Sequence, residues 1–114
     1  MEQSIKYVNI GNLQIYPRDM RSMEWYIATK MCLRLGDGWR LPTKEELNII
    51  YVNREIINGL STDDYWSSTH SSCHNRVWGQ YFANGFQLIA SASLECRVRP
   101  VRDSEEQTQQ VGEL

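Results

Sequence analysis

The chain has 114 residues, a formal net charge of −2, 41% hydrophobic residues and 23% charged residues. This length and composition predict one domain of ordinary globular character. The acidic balance disfavours nucleic acid as a ligand, because phosphate binding needs clustered Lys and Arg. No apolar run approaches the ~20 residues that span a membrane, and the first residues lack the apolar stretch of a signal peptide. We therefore expect no membrane insertion and no export signal within this chain, and its location in a phage particle, at a cell surface or in the cytoplasm stays open.

Residues 5–16 predict a β-hairpin. Apolar residues alternate with polar ones in 7–10 and 13–16, and Gly11-Asn12 between them suits a tight turn. Pro17 ends the second strand. The hairpin therefore precedes the first helix.

Residues 22–35 predict a helix with Ser22 as its N-cap. Gly36 and Gly38 end it. Apolar residues at helical spacing form its expected core face, and they are Met23, Tyr26, Ile27, Met31 and Leu35.

A capping box begins the second predicted helix. The Thr43 hydroxyl can accept the amide of Glu46, whose carboxylate can reach back to the Thr43 amide. Leu47, Ile50 and Tyr51 then share one face. The helix ends near residue 53 or continues to 58–59.

From residue 63 onward the pattern predicts β-strands, near 65–69, 77–82, 86–89 and 97–101. Trp66 and Ser68 are expected to face opposite to Tyr65. Arg97 and Arg99 share a strand face, which we interpret as solvated or ion-paired. The chain thus forms a single domain over 1–102, followed by a polar, frayed tail over 103–114.

Catalytic and metal-binding patterns are weak. His70, Cys73 and His74 lie in a Ser-rich loop without a carboxylate or an orienting third group. The cysteines have no metal-ligand spacing. Cys32 is predicted to be a core residue, and a disulfide with Cys96 stays open. We expect no catalytic residue, no metal site and no cofactor.

Three motifs stand in order along the chain, and they are Gly38-Trp39-Arg40-Leu41-Pro42-Thr43, Tyr65-Trp66-Ser67-Ser68-Thr69 and Arg97-Val98-Arg99-Pro100-Val101. This order resembles the collagen-like-protein C-terminal domain family. Within that family it is most similar to the variable proteins of diversity-generating retroelements. The resemblance spans about residues 18–102. It implies an α+β, C-type-lectin-like fold in which two helices pack on a small twisted antiparallel sheet.

The same resemblance implies a diversified recognition surface at residues 70–96. In such proteins, error-prone copying at adenines yields codons that encode many residues but not Met, Trp, Gln, Lys or Glu. Those five types supply 4 of the 27 residues in 70–96 and 17 of the 69 residues in 1–69. Residues 88–94 follow no strand period and are interpreted as a substituted tract.

The ligand-binding residues expected on this surface are His70, Ser72, His74, Asn75, Arg76, Gly79, Tyr81, Phe86, Leu88, Ala90, Ala92, Leu94 and Cys96. Within 70–96, Gln80 and Phe82 are expected on the strand face opposite to Tyr81. The hydrophobic frame beneath the surface consists of Trp39, Leu41, Trp66, Trp78, Phe82 and Val98.

Several functions remain open at this stage. The first is a non-enzymatic module that binds a protein or a surface glycan through diversified side chains. The second is a structural or receptor-binding module of a phage tail or surface appendage with a fixed partner. A small enzyme is disfavoured because no activated nucleophile or metal constellation is visible. Residues 70–96 can also be read as an ordinary buried strand and loop. The oligomeric state stays open.

Overall fold

The computed structural model describes residues 7–104. The first two residues of the predicted hairpin, 5–6, and most of the predicted tail, residues 105–114, lie outside the described residues. The strands are β1 Val8–Ile10, β2 Leu13–Ile15, β3 Met20–Met23, β4 Asp64–His70, β5 Arg76–Tyr81, β6 Gln87–Ser91, β7 Cys96–Val98 and β8 Val101–Asp103. The helices are α1 Trp25–Arg34, α2 Lys44–Val52 and a short 3-10 turn, Arg54–Ile56.

The strands form two sheets. A three-stranded sheet has the order β1-β2-β8, and a five-stranded sheet has the order β3-β7-β4-β5-β6. All pairs are antiparallel except β4 with β7. The α+β class is confirmed, but the strands form two sheets with one parallel pair, whereas a single antiparallel sheet was expected.

The last predicted strand, 97–101, is wrong as a single element. It is divided between β7 and β8, which belong to different sheets. Pro100 lies between them and has no N–H to donate to a strand partner. Its carbonyl instead accepts the amide of Tyr16 at 2.9 Å, which joins the segment between β7 and β8 to the residue that follows β2.

The hairpin and the second helix agree with the sequence prediction. Val8 pairs with Ile15, and Gly11 in the turn has a φ of +59°. At α2 the Glu46 amide donates to the Thr43 hydroxyl at 3.1 Å, and the Thr43 amide donates to the Glu46 carboxylate at 2.9 Å. Both signals are local, which explains why the sequence reveals them.

The first helix differs from its prediction. Ser22 and Met23 belong to β3, α1 begins at Trp25, and Glu24 makes no capping bond with its side chain. The buried helix residues are Trp25, Ala28 and Cys32, whereas Tyr26 is 53% exposed. One residue turns a helix by about 100°, so burial of the large Trp25 indole moves Tyr26 to the surface.

Two hydrophobic clusters form the core. The first joins α1 to the sheet through residues that include Trp25, Trp66 and Val98. The second lies with α2 and includes Tyr65 and Phe82. Tyr65 and Trp66 are consecutive in β4 and therefore face opposite sides of the sheet, so both sides of this strand are covered. The expected frame is buried at Trp39, Leu41, Trp66, Phe82 and Val98, while Trp78 is only half-buried.

A buried polar group, here called the polar anchor, consists of Asp19, Tyr65 and Arg99. The Arg99 side chain is 1% exposed, and its Nε donates to Asp19 Oδ1 at 2.7 Å. Its terminal nitrogens donate to the carbonyls of Tyr16 at 3.1 Å and Asn58 at 2.8 Å. Tyr65 donates its hydroxyl to Asp19 Oδ2. Burial raises the pKa of Tyr65, and the hydrogen bond to Asp19 raises it further. The anchor thereby ties β4 to segments distant in sequence.

The other C-terminal arginines are also occupied. Arg97 donates to Asp63 at 3.1 Å, which confirms the ion-paired interpretation of this strand face. Arg102 donates to Gln14 at 2.7 Å, and its guanidinium lies 4.3 Å from the ring centroid of Trp39. These contacts make the basic cluster part of the frame.

Candidate functional site

An open cleft of about 480 Å³ lies between the β4–β5 loop and the first turn of α1. A smaller hollow of about 230 Å³ shares Tyr26, Asn75 and Ala92 with it. The two adjacent hollows together are here called the cleft. Its lining residues are Glu24, Tyr26, His70, Ser71, Ser72, Cys73, His74, Asn75, Val77, Ser91, Ala92 and Ser93.

Main-chain contacts hold the loop that forms one wall of the cleft. The Ser71 amide donates to the Arg76 carbonyl at 3.0 Å, and the Arg76 amide donates to the Cys73 carbonyl at 3.3 Å. The Cys73 amide donates to the Ser71 hydroxyl at 3.0 Å. Asn75 has a φ of +57°, a left-handed conformation that Asn tolerates better than most residues. The shape of the loop therefore depends on the backbone, Ser71 and Asn75.

Three contacts join this loop to α1 and to the turn after β6. The Tyr26 hydroxyl donates to Asn75 Oδ1 at 3.2 Å, and the His70 ring meets the Trp25 ring edge-on at 4.9 Å. The Ala92 amide donates to the Asn75 carbonyl at 2.9 Å. Tyr26 is thus a cleft residue, although its helical spacing predicts it on the core face.

Three side chains of the loop and its flank have no polar partner within the part of the protein that the structure describes. Ser72, His74 and Arg76 are exposed. Within residues 7–104, their side chains make no hydrogen bond or ion pair with the rest of the protein. Their polar groups are available to a ligand at no cost to internal bonding.

The expected ligand-binding residues divide by burial. Eight are exposed, and they are His70, Ser72, His74, Asn75, Arg76, Tyr81, Phe86 and Leu94. Four lie below the surface, and they are Gly79, Ala90, Ala92 and Cys96. Leu88 is half-buried against the α1 cluster.

The four buried positions correct the predicted surface. Ala90 and Cys96 expose too little side chain to meet a ligand in this conformation, Gly79 has no side chain, and Ala92 is buried but borders the cleft. Ala90 and Cys96 belong to the α1 cluster, as does Ala92. Gly79 lies so close to β4 that a Cβ added there would be 2.8 Å from the Tyr65 carbonyl oxygen. Strand pairing explains these positions, because β6 pairs with β5 over five residues. Strand β6 agrees with the predicted strand near 86–89 and continues it to Ser91, whereas the interpretation of 88–94 as a substituted tract stays a prediction.

The exposed residues also divide by position. His70 and Arg76 lie at one end of the β4–β5 pair, beside the cleft. Tyr81 and Phe86 lie at the other end, near the β5–β6 turn, where Phe86 is 72% exposed. As predicted, Gln80 and Phe82 are buried while Tyr81 is exposed. The residues of the predicted set that line the cleft are therefore His70, Ser72, His74, Asn75 and Ala92, and Arg76 lies next to it.

Three residues of the types absent from adenine-diversified codons contact α2. Gln80 donates to Asn48 Oδ1 at 2.9 Å, and Gln87 donates to the Lys44 carbonyl at 3.0 Å. The Lys44 ammonium lies 3.6 Å from the ring centroid of Trp78. All three side chains support the sheet from the side of α2.

Two of the three cysteines, Cys32 and Cys96, are buried, and Cys73 is exposed. Cys32, Cys73 and Cys96 are all free thiols, so the structure forms no disulfide between Cys32 and Cys96. Burial raises the pKa of Cys32 and of Cys96 to about 12, so both thiols are protonated at neutral pH. Between residues 7 and 104, no group of three or more His, Cys, Asp or Glu side chains is placed to hold a metal. Over the same residues, no helix has the length and apolar character to cross a membrane.

Comparisons with known proteins bear on the fold and the family. A sequence model of the Lcl C-terminal domain matches residues 6–102. No curated protein has a significantly similar sequence. The solved structure of botrocetin is similar with a TM-score of 0.62 at 11% identity, over 90% of this chain and 100% of that chain. A chain from the complex of botrocetin with a mutant von Willebrand Factor A1 domain gives 0.60 at 10% identity, with the same coverage. The predicted C-type-lectin-like fold is thereby confirmed.

Proposed function

The chain belongs to the Lcl C-terminal domain family, and we propose that it is a non-enzymatic module that binds a protein ligand through the cleft. The exposed side chains of residues 70–96 are, in this proposal, the ones that a diversity-generating retroelement exchanges. Botrocetin, which has a similar fold, forms a complex with the von Willebrand Factor A1 domain. That complex supports a protein as the class of ligand.

The observation that carries the proposal is that the shape of the β4–β5 loop does not depend on several of its exposed side chains. Main-chain bonds at Ser71, Cys73 and Arg76 hold the β4–β5 loop, whereas the side chains of Ser72 and His74 have no internal polar partner. A surface built in this way accepts different side chains without a change of backbone. Recognition loops on rigid scaffolds have the same property.

The contacts with α2 support diversification of the surrounding stretch. Trp78, Gln80 and Gln87 are of types that adenine diversification does not supply, and each contacts α2. A diversified segment needs constant residues where the frame is held and variable ones where the ligand is met. Trp78, Gln80 and Gln87 fit the constant class, because each contacts the frame.

Tyr26, His74 and Arg76 are the residues we expect to contribute most to binding. Aromatic side chains and Arg dominate the energetics of protein interfaces because they combine large contact area with directional polar groups. Tyr26 is half-exposed at the junction of the two hollows. As part of α1 it is a constant residue, while His74 and Arg76 are the variable ones.

Comparison of gene copies separates this function from a module with one fixed partner. We expect substitutions at Ser72, His74 and Arg76, with Gly79 and Gln80 constant. A near-copy of the coding region for 65–102 beside a reverse transcriptase gene is expected in the neighbouring DNA. Substitutions spread evenly over exposed positions of the whole chain, without such a near-copy, would favour the fixed-partner module.

A display experiment tests the cleft directly. A library with Ser72, His74 and Arg76 randomised is selected against a panel of unrelated folded proteins. A matched library randomises three exposed residues on the helices, Lys30, Leu33 and Val52. We expect specific binders from the cleft library at a higher frequency than from the helix library. Equal frequencies would contradict the proposed location of the binding surface.

A further inference from the structure

Strand β6 forms an edge of the five-stranded sheet. Its inner side pairs with β5 from Gln87 to Ser91, and no strand between residues 7 and 104 pairs with its outer side. The bond from the Tyr81 amide to the Phe86 carbonyl, 2.8 Å, sets the alternation of the β5–β6 ladder. In an antiparallel ladder, residues bonded to the partner alternate with residues whose N–H and C=O point away. Leu88 and Ala90 therefore bond to β5, while Gln87, Ile89 and Ser91 direct their main-chain groups outward. The Ser91 carbonyl also accepts the Leu94 amide at 3.0 Å, which leaves it one further lone pair for a partner strand.

This edge lacks the features that normally prevent strand association. Residues 86–93 contain no charged residue and no Pro. Phe86 is 72% exposed and Ile89 is 41% exposed. Natural sheets protect a free edge with Lys, Pro, a bulge or a covering element, because unpaired N–H and C=O groups otherwise pair with another chain. An uncharged, apolar edge of this kind is suited to a strand partner.

We infer that the partner is a second copy of this chain, whose β6 pairs antiparallel with the first about a two-fold axis. A residue whose main-chain groups point outward can bond only to a residue of the second copy whose groups also point outward. This condition restricts the possible registers of the two β6 strands. The register with the longest overlap opposes Gln87 to Ser91 of the second copy and Ile89 to Ile89 of the second copy. All five residues of β6 are then paired, and the two five-stranded sheets become continuous.

The side chains are complementary in this register. Trp78 is the partner of Ile89 in the β5–β6 pair, so the two copies align the row Trp78, Ile89, Ile89 and Trp78 across four strands. On the opposite face, Leu88 meets Ala90 of the second copy. No charged side chain opposes another, which avoids the cost of like charges in cross-strand pairs. A two-fold interface requires a surface that is complementary to itself, and this edge meets that condition.

Sedimentation equilibrium of the full chain over a dilution series tests the inference. We expect the parent to approach twice the 13.4 kDa monomer mass and Ile89→Lys to remain monomeric, because two ammonium groups would face each other on the axis. The control is Leu33→Lys, an equal change at a 63% exposed apolar residue of α1, which is expected to associate like the parent. A monomeric parent, or a dimer that Ile89→Lys leaves intact, would overturn the inference.

A mixing experiment tests the register itself. Ile89→Lys and Ile89→Glu are each expected to be monomeric alone and to form a dimer when mixed, because opposite charges then meet on the axis. Thermal melts show whether each variant is folded. Ile89→Thr keeps a β-branched residue in the strand and is expected to weaken association of the folded chain if the charged variants fail to fold. Absence of a mixed dimer from folded variants would contradict the Ile89-centred register, and unchanged association of Ile89→Thr would contradict the interface.

Discussion

The two ends of strand β4 are stabilised in different ways. At its beginning, Tyr65 is fixed by side chains, through the polar anchor with Asp19 and Arg99. At its end, His70 leads into a loop that main-chain bonds hold. A residue at the first end is therefore needed for its own chemistry, whereas most residues of the loop are needed only for their backbone. We therefore expect the frame to resist substitution and the loop to accept it.

The largest expected effect is at Trp66, next to Tyr65. This side chain is fully buried, and its indole donates to the Met23 carbonyl at 2.8 Å. We expect Trp66→Ala to lower the free energy of unfolding by about 3–5 kcal/mol, which is most of the stability of a typical domain. Urea denaturation measures this change. Phe86→Ala is the matched aromatic control at an exposed site, and comparable losses in both variants would contradict the distinction between frame and surface.

Removal of the buried guanidinium is expected to be nearly as costly. Arg99→Ala removes the main partner of the Asp19 carboxylate, which keeps only the Tyr65 hydroxyl and the Arg97 guanidinium at 3.9 Å. Loss of one partner of a buried pair costs up to about 3–5 kcal/mol. The matched exposed arginine is Arg76, for which Arg76→Ala is expected to change the free energy of unfolding by about 0.5 kcal/mol or less. Chemical denaturation of both variants makes the comparison. If Arg99→Ala were as stable as Arg76→Ala, the polar anchor would not hold the frame.

A smaller loss of stability is expected at Gly79, where the backbone of β5 lies close to the backbone of β4. Gly79→Ala places a Cβ 2.8 Å from the Tyr65 carbonyl oxygen, so the strands must separate slightly. Overpacking of this kind costs about 1–3 kcal/mol. Ser72→Ala, in the loop, is expected to be neutral. A thermal melt of Gly79→Ala that matches the parent would restore position 79 to the set of replaceable surface residues.

How far the sequence predicts the fold depends on the distance over which each signal acts. The capping box at Thr43 and the hairpin turn at Gly11 involve residues close in sequence, and both were predicted. The pairing of Asp19 with Arg99 joins residues 80 positions apart, and no local pattern indicates it. The division of the last predicted strand into β7 and β8 can be predicted from Pro100 itself, because Pro cannot continue a central strand.

The site was predicted less completely than the fold. The loop residues His70, Ser72, His74, Asn75 and Arg76 were identified together, because the resemblance and the loop composition both mark them. Tyr26 was missed because apolar spacing alone does not decide whether Trp25 or its neighbour faces the core. The burial of Ala90 and Ala92 depends on the pairing of β6 with β5 and the packing of α1. The sequence around a small side chain such as Ala does not show whether that side chain is buried or exposed.

Acid is expected to act on the frame through Glu46. Burial disfavours its charged form, but hydrogen bonds from Arg40 and from Thr43 outweigh burial and hold the pKa of this carboxyl below its usual range. A carboxyl with a lowered folded pKa stabilises the fold above its unfolded pKa of about 4.3, and this contribution is lost as the pH falls through the folded pKa.

The Glu46→Gln variant isolates that contribution. We expect it to be less stable than the parent by about 0.5–1 kcal/mol at neutral pH, since the pair with Arg40 is partly exposed. The difference should disappear as the pH falls below the folded pKa of Glu46. Urea denaturation at a series of pH values measures it. A difference that does not depend on pH would mean that the charge of Glu46 is not responsible.

The central claim, that the side chains proposed for recognition do not hold the fold, is tested most directly by replacing them together. The combined variant carries Ser72→Ala, His74→Ser, Arg76→Ser and Phe86→Ser, and its matched control carries Val77→Ser and Phe82→Ser at buried sites of the same stretch. The free energy of unfolding is measured by urea denaturation with circular dichroism. We predict a folded combined variant that loses about 0.5 kcal/mol or less per site and an unfolded or strongly destabilised control. Cooperative loss of the fold in the combined variant would contradict the claim and identify residues 70–96 as ordinary core.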